Sequence, residues 1–345
     1  MNSELRDLIF VHPNWQKGGV ERTNIQWMNI LKSEYKLAVY TTFPCSDLLE
    51  VSKIARVRAF DSLIFLFISL LRENKNSLVC ICQSYYTLYY FPFVLLLRLR
   101  GVKIFLAERN SFQQYKAYRF KLLLYRVLFP FLLRIYSFII VNSLELSREY
   151  PFSTLLPDRC FVSRNPRFSD EVLLSIPNIS RSSPIKSRSI CFFGRWSWQK
   201  NIDFIQQVSP IILDYGYDFK CFCGKSHLSY QYPFLDDAFD YMLKNNCIVF
   251  FCSHFEGFPN VLLEARAAGL PILASLCPTG AAEILDGYDN AFLFAHNNVD
   301  DFHGQLVRIN RMIHSGELFR TPDLDFASQF LVSNSNLSDI LGSLQ

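Results

Sequence analysis

The sequence predicts an α/β protein made of two Rossmann-like, doubly wound domains facing each other across a cleft. Three observations carry this expectation: strand-like and helix-like segments alternate through both halves, a serine- and proline-rich stretch divides them, and the halves differ in charge. With 345 residues there is material for two cores, and a chain that is 50% hydrophobic and only 19% charged is not a disordered one. Residues 1–170 hold 23 Lys+Arg and 13 Asp+Glu, a net charge of +10; residues 171–345 hold 12 and 18, a net of −6. Opposite signs point to two domains with different partners.

The first half opens with an apolar strand at Leu8–Val11, the pair Gly18-Gly19, and a helical period through Ile25, Met28 and Leu31. Strand, glycine turn and helix form the opening unit of a doubly wound domain. Further strands are expected at Lys36–Thr41, Leu78–Cys82, Lys103–Ala107 and Phe138–Asn142, with helices between them and therefore a parallel sheet. Residues 168–188 contain Ser175, Pro177, Ser180, Ser182, Ser183, Pro184 and Ser187 and little periodicity. They read as a linker between a domain over 1–167 and one over 189–345, whose last helix is a candidate to pack back on the first domain. The second half predicts strands at Ser189–Phe193, Phe219–Cys223, Cys247–Cys252, Pro271–Ala274 and Ala291–Phe294. Its helices are expected at Ile202–Leu213, Leu235–Leu243, Val261–Ala268 and Val299–Ile313.

Several classes are excluded or disfavoured. The uncharged run Ser77–Leu97 is divided by Gln83, Ser84, Thr87 and Pro92 into a strand and a helix, so it is not read as a membrane span. The N-terminus does not read as a signal peptide, so a cytoplasmic protein is expected. Cys80/Cys82 and Cys221/Cys223 share strand faces and read as core thiols, and the six histidines form no H-x-x-x-H pair, so no metal site is expected. No G-x-G-x-x-G follows the first strand, no G-x-S-x-G occurs, and Gly224-Lys225-Ser226 lacks the earlier P-loop glycine, where Phe219 stands. Between Arg98 and Arg134 nine basic residues face the single acid Glu108, interleaved with Phe112, Tyr115, Tyr118, Phe120, Tyr125 and Phe129. That pattern suits anionic lipid headgroups; a core helix with a solvated basic edge is the plainer alternative. A nucleic-acid-binding protein is a further alternative, opposed by the acidic second half and the lack of a recognition motif.

Residues just beyond strand ends carry the chemistry of such folds. In CFFGRWSWQKN, Gly194 admits a ligand to the backbone, while Arg195 and Lys200 offer a planar fork and a point charge suited to two linked phosphates. A solvated surface pair is the alternative. In EGFPNVLLEARAAGLP, Pro259 can start a helix whose first amides, with those of Gly257, Phe258 and Asn260, point toward an anion. Glu264 sits among Val261, Leu262, Leu263, Ala265 and Ala268 and needs a hydroxyl or cationic partner. Ribose hydroxyls would satisfy it, as would a structural pair with Arg266 or a lysine.

These segments resemble the family 4 retaining nucleotide-sugar glycosyltransferases of the GT-B fold. The resemblance rests on GR-x4-KN at Gly194–Asn201 and on the E-x7-E signature in EGFPNVLLEA-x3-G-x-P from Glu256 to Pro271. GGVER at Gly18–Arg22, VNS at Val141–Ser143, RNP at Arg164–Pro166 and GAAEIL at Gly280–Leu285 add to it. It implies that Arg195 and Lys200 hold the donor diphosphate and Glu264 the ribose. Glu256, with the amides of Gly257 to Asn260, would hold the sugar hydroxyls and β-phosphate region. Gly18 and Gly19 would close over the phosphates, and no metal is implied. Where many members place a histidine, this chain reads Glu108-Arg109-Asn110, which makes Arg109 a candidate sugar or phosphate contact.

The expected reaction is transfer of a hexose or N-acetylhexosamine from a nucleotide sugar to a lipid-linked glycan, as in bacterial O-antigen or capsule-like assembly. The protein would be peripheral on the anionic inner face of the cell membrane. A soluble acceptor, nucleotide-sugar epimerisation and an inactive paralogue are the alternatives.

Overall fold

The computed structural model describes residues 5–15, 18–45, 48–84, 87–115, 127–149, 152–176, 188–225, 227–235 and 237–343. The chain divides into two units, residues 1–167 with 335–345, and residues 168–334. In the first unit the elements run β1 (Arg6–Val11), α1 (Gly19–Leu31), β2 (Tyr35–Thr42), α2 (Leu48–Ser52), β3 (Arg56–Phe60), α3 (Leu63–Leu70), β4 (Leu78–Cys82), α4 (Thr87–Leu99), β5 (Lys103–Glu108), α5 (127–133), β6 (Phe138–Val141), α6 (Leu144–Arg148), α7 (Phe152–Leu155) and β7 (Cys160–Val162). The second unit has α8 (Asp170–Ser175), β8 (Ser189–Phe193), α9 (Ile202–Asp214), β9 (Asp218–Phe222), β10 (Gln231–Tyr232), α10 (Ala238–Lys244), β11 (Ile248–Phe251), α11 (Asn260–Ala267), β12 (Ile272–Ser275), α12 (Ala281–Leu285), β13 (Ala291–Phe294), α13 (Val299–Ser315) and α14 (Leu324–Ser328). A final helix, α15 (Leu337–Ser343), belongs to the first unit.

Both sheets are wholly parallel. The first has the order β3-β2-β1-β4-β5-β6-β7 and the second β10-β9-β8-β11-β12-β13. Parallel sheets are covered on both faces, which explains the near-continuous apolar runs of the strands. Along β1, Leu8 and Phe10 enter one core with Trp27, Met28 and Leu31 of α1, while Ile9 and Val11 enter the opposite core with Leu66, Phe67 and Val94. In the second unit Val249 and Phe251 face one core, and Ile248 and Phe250 the other. Side-chain caps start several helices: Ser62 accepts from the Phe65 amide, Ser143 from Leu146, and Asn298 from Asp301. Cys80, Cys82, Cys221 and Cys223 are free thiols buried in these cores.

The structure adds strands that the sequence reading left out. β3 is an edge strand whose two arginines interrupt the apolar run, and β7 and β10 have three and two residues. The linker expectation is corrected in part. Residues 168–176 are built into the second unit: Ser169 caps α8, and Phe168 and Ile176 are buried in its core. Apolar anchoring at those two positions outweighs the loop-like composition around them. Residues 177–187 of the expected linker lie outside the described residues, as do residues 116–126 of the basic stretch. At the other end, Leu337, Ile340 and Leu341 are buried with Leu8 and Trp27 in a first-unit core, so the second domain does not extend to 345. Among the described residues no helix is long and apolar enough to cross a membrane.

Candidate active site

In a doubly wound sheet, ligands bind beyond the strand carboxyl ends where the strand order reverses. In the second sheet that reversal lies between β8 and β11, and these strands lead into Gly194–Asn201 and Cys252–Asn260. A Cβ on Gly194 would lie 3.2 Å from Lys200 Cε and 3.4 Å from Phe192 Cζ, so a larger residue would crowd the Lys200 side chain. A short 3-10 turn, Trp198–Lys200, ends at Asn201, which adopts a left-handed conformation at φ 59° that asparagine tolerates better than most residues. Asn201 Nδ2 donates to the Cys252 carbonyl at 3.0 Å and to Asn297 Oδ1 at 2.7 Å. The His254 amide donates to the Gln199 carbonyl at 2.9 Å, and Gln199 Nε2 to the Phe255 carbonyl at 3.3 Å.

Stitched together in this way, the two segments bring Lys200 Nζ to 2.6 Å from Glu256 Oε1, with both side chains largely enclosed. Arg195 is exposed and makes no hydrogen bond or ion pair among the described residues. The solvated-pair alternative therefore describes Arg195 as it stands but not Lys200.

The loop carrying Glu256 is pinned from behind. Its amide donates to the Pro278 carbonyl at 3.3 Å, and the Thr279 hydroxyl donates to the Glu256 carbonyl. Gly280, at φ 73°, allows the close approach: a Cβ would lie 2.5 Å from the Gly257 oxygen and 2.8 Å from Phe258 Cα. Pro259 caps α11, and its carbonyl accepts from the Leu262 and Leu263 amides. Phe258 is buried, its ring centroid 5.4 Å from that of Phe330. Asn260 opens α11, and Glu264 follows one turn later, on the same side of the helix. Glu264 is only 4% exposed, amid Leu262, Leu263 and Ala265. Arg266 is not its partner, because that guanidinium is taken up by Asp323 at 2.7 Å and by the Ile284 and Asp286 carbonyls.

The first unit holds the remaining candidates. Gly18 precedes α1, and a Cβ there would sit 2.6 Å from Glu21 Oε2; Gly19 is the first helical residue. Arg109 follows β5. It is 5% exposed, its Cζ lies 4.2 Å from the centre of the Trp27 ring, and Nε, Nη1 and Nη2 are enclosed with no hydrogen-bond partner. Burial lowers its pKa. Glu108 does not neutralise it by a direct bond, since its carboxylate accepts the backbone amides of Ser84, Arg109 and Asn110 at 2.9, 2.9 and 3.0 Å. Burial nevertheless pushes the Glu108 pKa up.

Two further groups escaped the sequence reading. His12, directly after β1, pairs with Glu21 at 3.0 Å; burial disfavours its charge, yet Cys82 and Glu21 beside it hold its pKa up at about 9. His254 Nδ1 lies 3.0 Å from His296 Nε2, with the Trp198 ring 4.9 Å from His254, and burial lowers the pKa of both histidines. Position within three residues of a strand end was the available signal for His12, His254 and His296.

The two parallel α/β units have the GT-B fold. Residues 175–318 match the model of the family described as Glycosyl transferases group 1. Over 67 residues the chain is 40% identical to the lipopolysaccharide 1,6-galactosyltransferase of Salmonella typhimurium, a match covering 19% of either chain. The chain thus spans less than a quarter of that relative's length.

Solved structures share the fold over nearly the whole chain. Anabaena HepE, in complex with UDP and glucose, is 17% identical with a TM-score of 0.66, covering 98% of this chain and 100% of that one. A TarM variant from S. aureus, in complex with Fondaparinux, alpha-GlcNAc-glycerol and UDP, is 9% identical with a TM-score of 0.69, covering 98% of each.

Proposed function

We propose that the protein is a retaining glycosyltransferase that moves a hexose or N-acetylhexosamine from a nucleotide-diphosphate sugar to a lipid-linked oligosaccharide. The setting would be bacterial surface polysaccharide assembly, with the protein peripheral on the inner face of the cell membrane. The observation that carries this reading is the 2.6 Å pair between Lys200 and Glu256 at the strand reversal. The Salmonella relative acts on lipopolysaccharide by its name, and the HepE and TarM structures contain UDP. The net charge of +10 in residues 1–170 favours an anionic surface.

Before the donor binds, Lys200 and Glu256 neutralise one another. A donor diphosphate would compete for the Lys200 ammonium, and Arg195 would add a planar fork for the second phosphate. Glu256, released, would accept hydrogen bonds from sugar hydroxyls, and Glu264 from the ribose. As the anomeric C–O bond breaks, negative charge grows on the leaving diphosphate, where the two cations and the start of α11 would stabilise it. The protein itself supplies the countercharge, so the reading requires no metal: turnover in EDTA is expected to equal turnover in magnesium, and a loss that magnesium restores would contradict it.

A thermal-shift screen against UDP-, GDP-, ADP- and dTDP-sugars tests the donor class, because a ligand that binds only the folded state raises the melting temperature. One base is expected to stabilise the protein, and NMR of the product should show the donor's anomeric configuration retained. No shift with any nucleotide sugar, or an inverted product, would overturn the corresponding part.

A further inference from the structure

Helices α3, α4 and α5 cover one side of the first sheet and contribute to one core: Leu66, Phe67 and Leu70 from α3, Tyr90, Val94 and Leu97 from α4, and Phe129 and Leu133 from α5. Phe67 stacks on Phe93 at 4.8 Å and lies 4.6 Å from Tyr90, which places α3 directly against α4. The outward side of these helices is also apolar. α3, with the sequence LIFLFISL, has no charged residue. It exposes Ile64, Phe65 (61%) and Ile68; α4 exposes Leu96 and Leu99 (75%); α5 exposes Val127, Leu128 and Phe131 (64%). Eight large apolar side chains on neighbouring helices exceed the scattered exposure normal for a soluble surface.

The charges on these segments are mainly basic. Arg72, Arg98 and Arg134 are exposed and Arg100 half-exposed; Arg98 donates to Ser137 Oγ at 3.1 Å, and Arg134 lies 5.7 Å from the Phe131 ring. The nearby acid Glu73 is engaged by Arg58 and Arg56, leaving Asp61, just before α3, as the exposed carboxylate at this edge.

We propose that this face docks on an anionic lipid bilayer, with Ile64, Phe65 and Ile68 entering the boundary between headgroups and acyl chains and the four arginines meeting headgroup phosphates. An apolar, charge-free helix flanked by arginines matches that interface in both polarity and sign. A second copy meeting the same face about a two-fold axis would bring arginines against arginines, which disfavours a dimer. The proposal extends the functional reading and stands whether or not the acceptor is lipid-linked.

Flotation of the full chain with vesicles of phosphatidylethanolamine and phosphatidylglycerol tests it, with phosphatidylcholine vesicles as the comparison. The wild type is expected to float with the anionic vesicles at low salt. Ile64→Ser with Phe65→Ser should lower the bound fraction about tenfold, since each removes exposed apolar area that the bilayer would bury. Phe65→Leu, which keeps that area, should float like the wild type, separating docking from any effect on folding. Arg98→Glu with Arg134→Glu should lower binding to the anionic vesicles, as added salt does for the wild type. A wild type that stays at the bottom of the gradient would overturn the proposal. So would a dimer, seen by sedimentation, that the serine variant dissociates. Flotation needs no turnover, so its failure is distinct from failure of the transferase reading.

Discussion

The Arg109 guanidinium lies over Trp27 with all three nitrogens enclosed and unpaired. A buried charge without a hydrogen-bonded partner costs stability, so an apolar side chain of similar length is expected to fit better. Arg109→Met should raise folding stability by about 1–4 kcal/mol in urea unfolding while lowering kcat/KM, a combination that a purely structural arginine would not give. For Lys200 and Arg195, the proposed phosphate cations, the expected effect is on turnover alone. Lys200→Ala or Arg195→Ala should lower kcat by about 10²–10³, the range for removing one group that stabilises developing negative charge, with circular dichroism unchanged. Wild-type turnover in either variant would remove that residue from the mechanism.

His12 gives a pH test. Its folded pKa of about 9 lies above its ordinary 6.5. The stability it contributes is therefore complete below pH 6.5 and is lost as pH rises through 9, about 3 kcal/mol in all. Unfolding curves of the wild type and His12→Gln should differ most at low pH and converge in alkali; a constant difference would contradict a His12 held charged by Cys82 and Glu21.

Among the elements, the turn before α12 shapes the loop that carries Glu256. Gly280→Ala adds both a strained positive φ and a clash with the Gly257 carbonyl, so a loss of about 1–3 kcal/mol is expected, together with a higher donor KM as the loop shifts. A variant with wild-type stability and KM would show the packing to be unimportant.

The alternation that made the central strands readable comes from burial on both faces, and it fails where burial is partial. β3 carries Arg56 and Arg58, and β7 and β10 are too short for a period to develop. α8 was missed because its flanks are rich in serine and its two anchors, Phe168 and Ile176, are far apart in the segment. The site followed the same logic. GR-x4-K and E-x7-E were legible because each lies in one short segment beside a strand end. The His12–Glu21 pair closes the turn between β1 and α1, while Trp27 beneath Arg109, and His254 with His296, come from separate segments that only the sheet order brings together.

At the scale of the molecule, each parallel sheet reverses its strand order once, after β1 and after β8, and Gly18-Gly19, GR-x4-KN and the E-x7-E segment follow strands at those reversals. A donor held by the second unit should protect that unit selectively. At a donor concentration of 100 times Kd, the stabilisation is about 2.7 kcal/mol. Two units need not melt in one step, so calorimetry should show only the unit containing Glu264 shifted; equal shifts of two separate transitions would count against donor binding confined to that unit.

The return of α15 to the first core has a consequence for anyone cutting and splicing this gene. The stretch 168–334 is one uninterrupted insert, whereas its companion is assembled from residues 1–167 and 335–345. A hybrid made by exchanging everything after residue 167 would bring a foreign helix into the core that holds Leu8 and Trp27. One made with seams at 167/168 and 334/335 would keep its own.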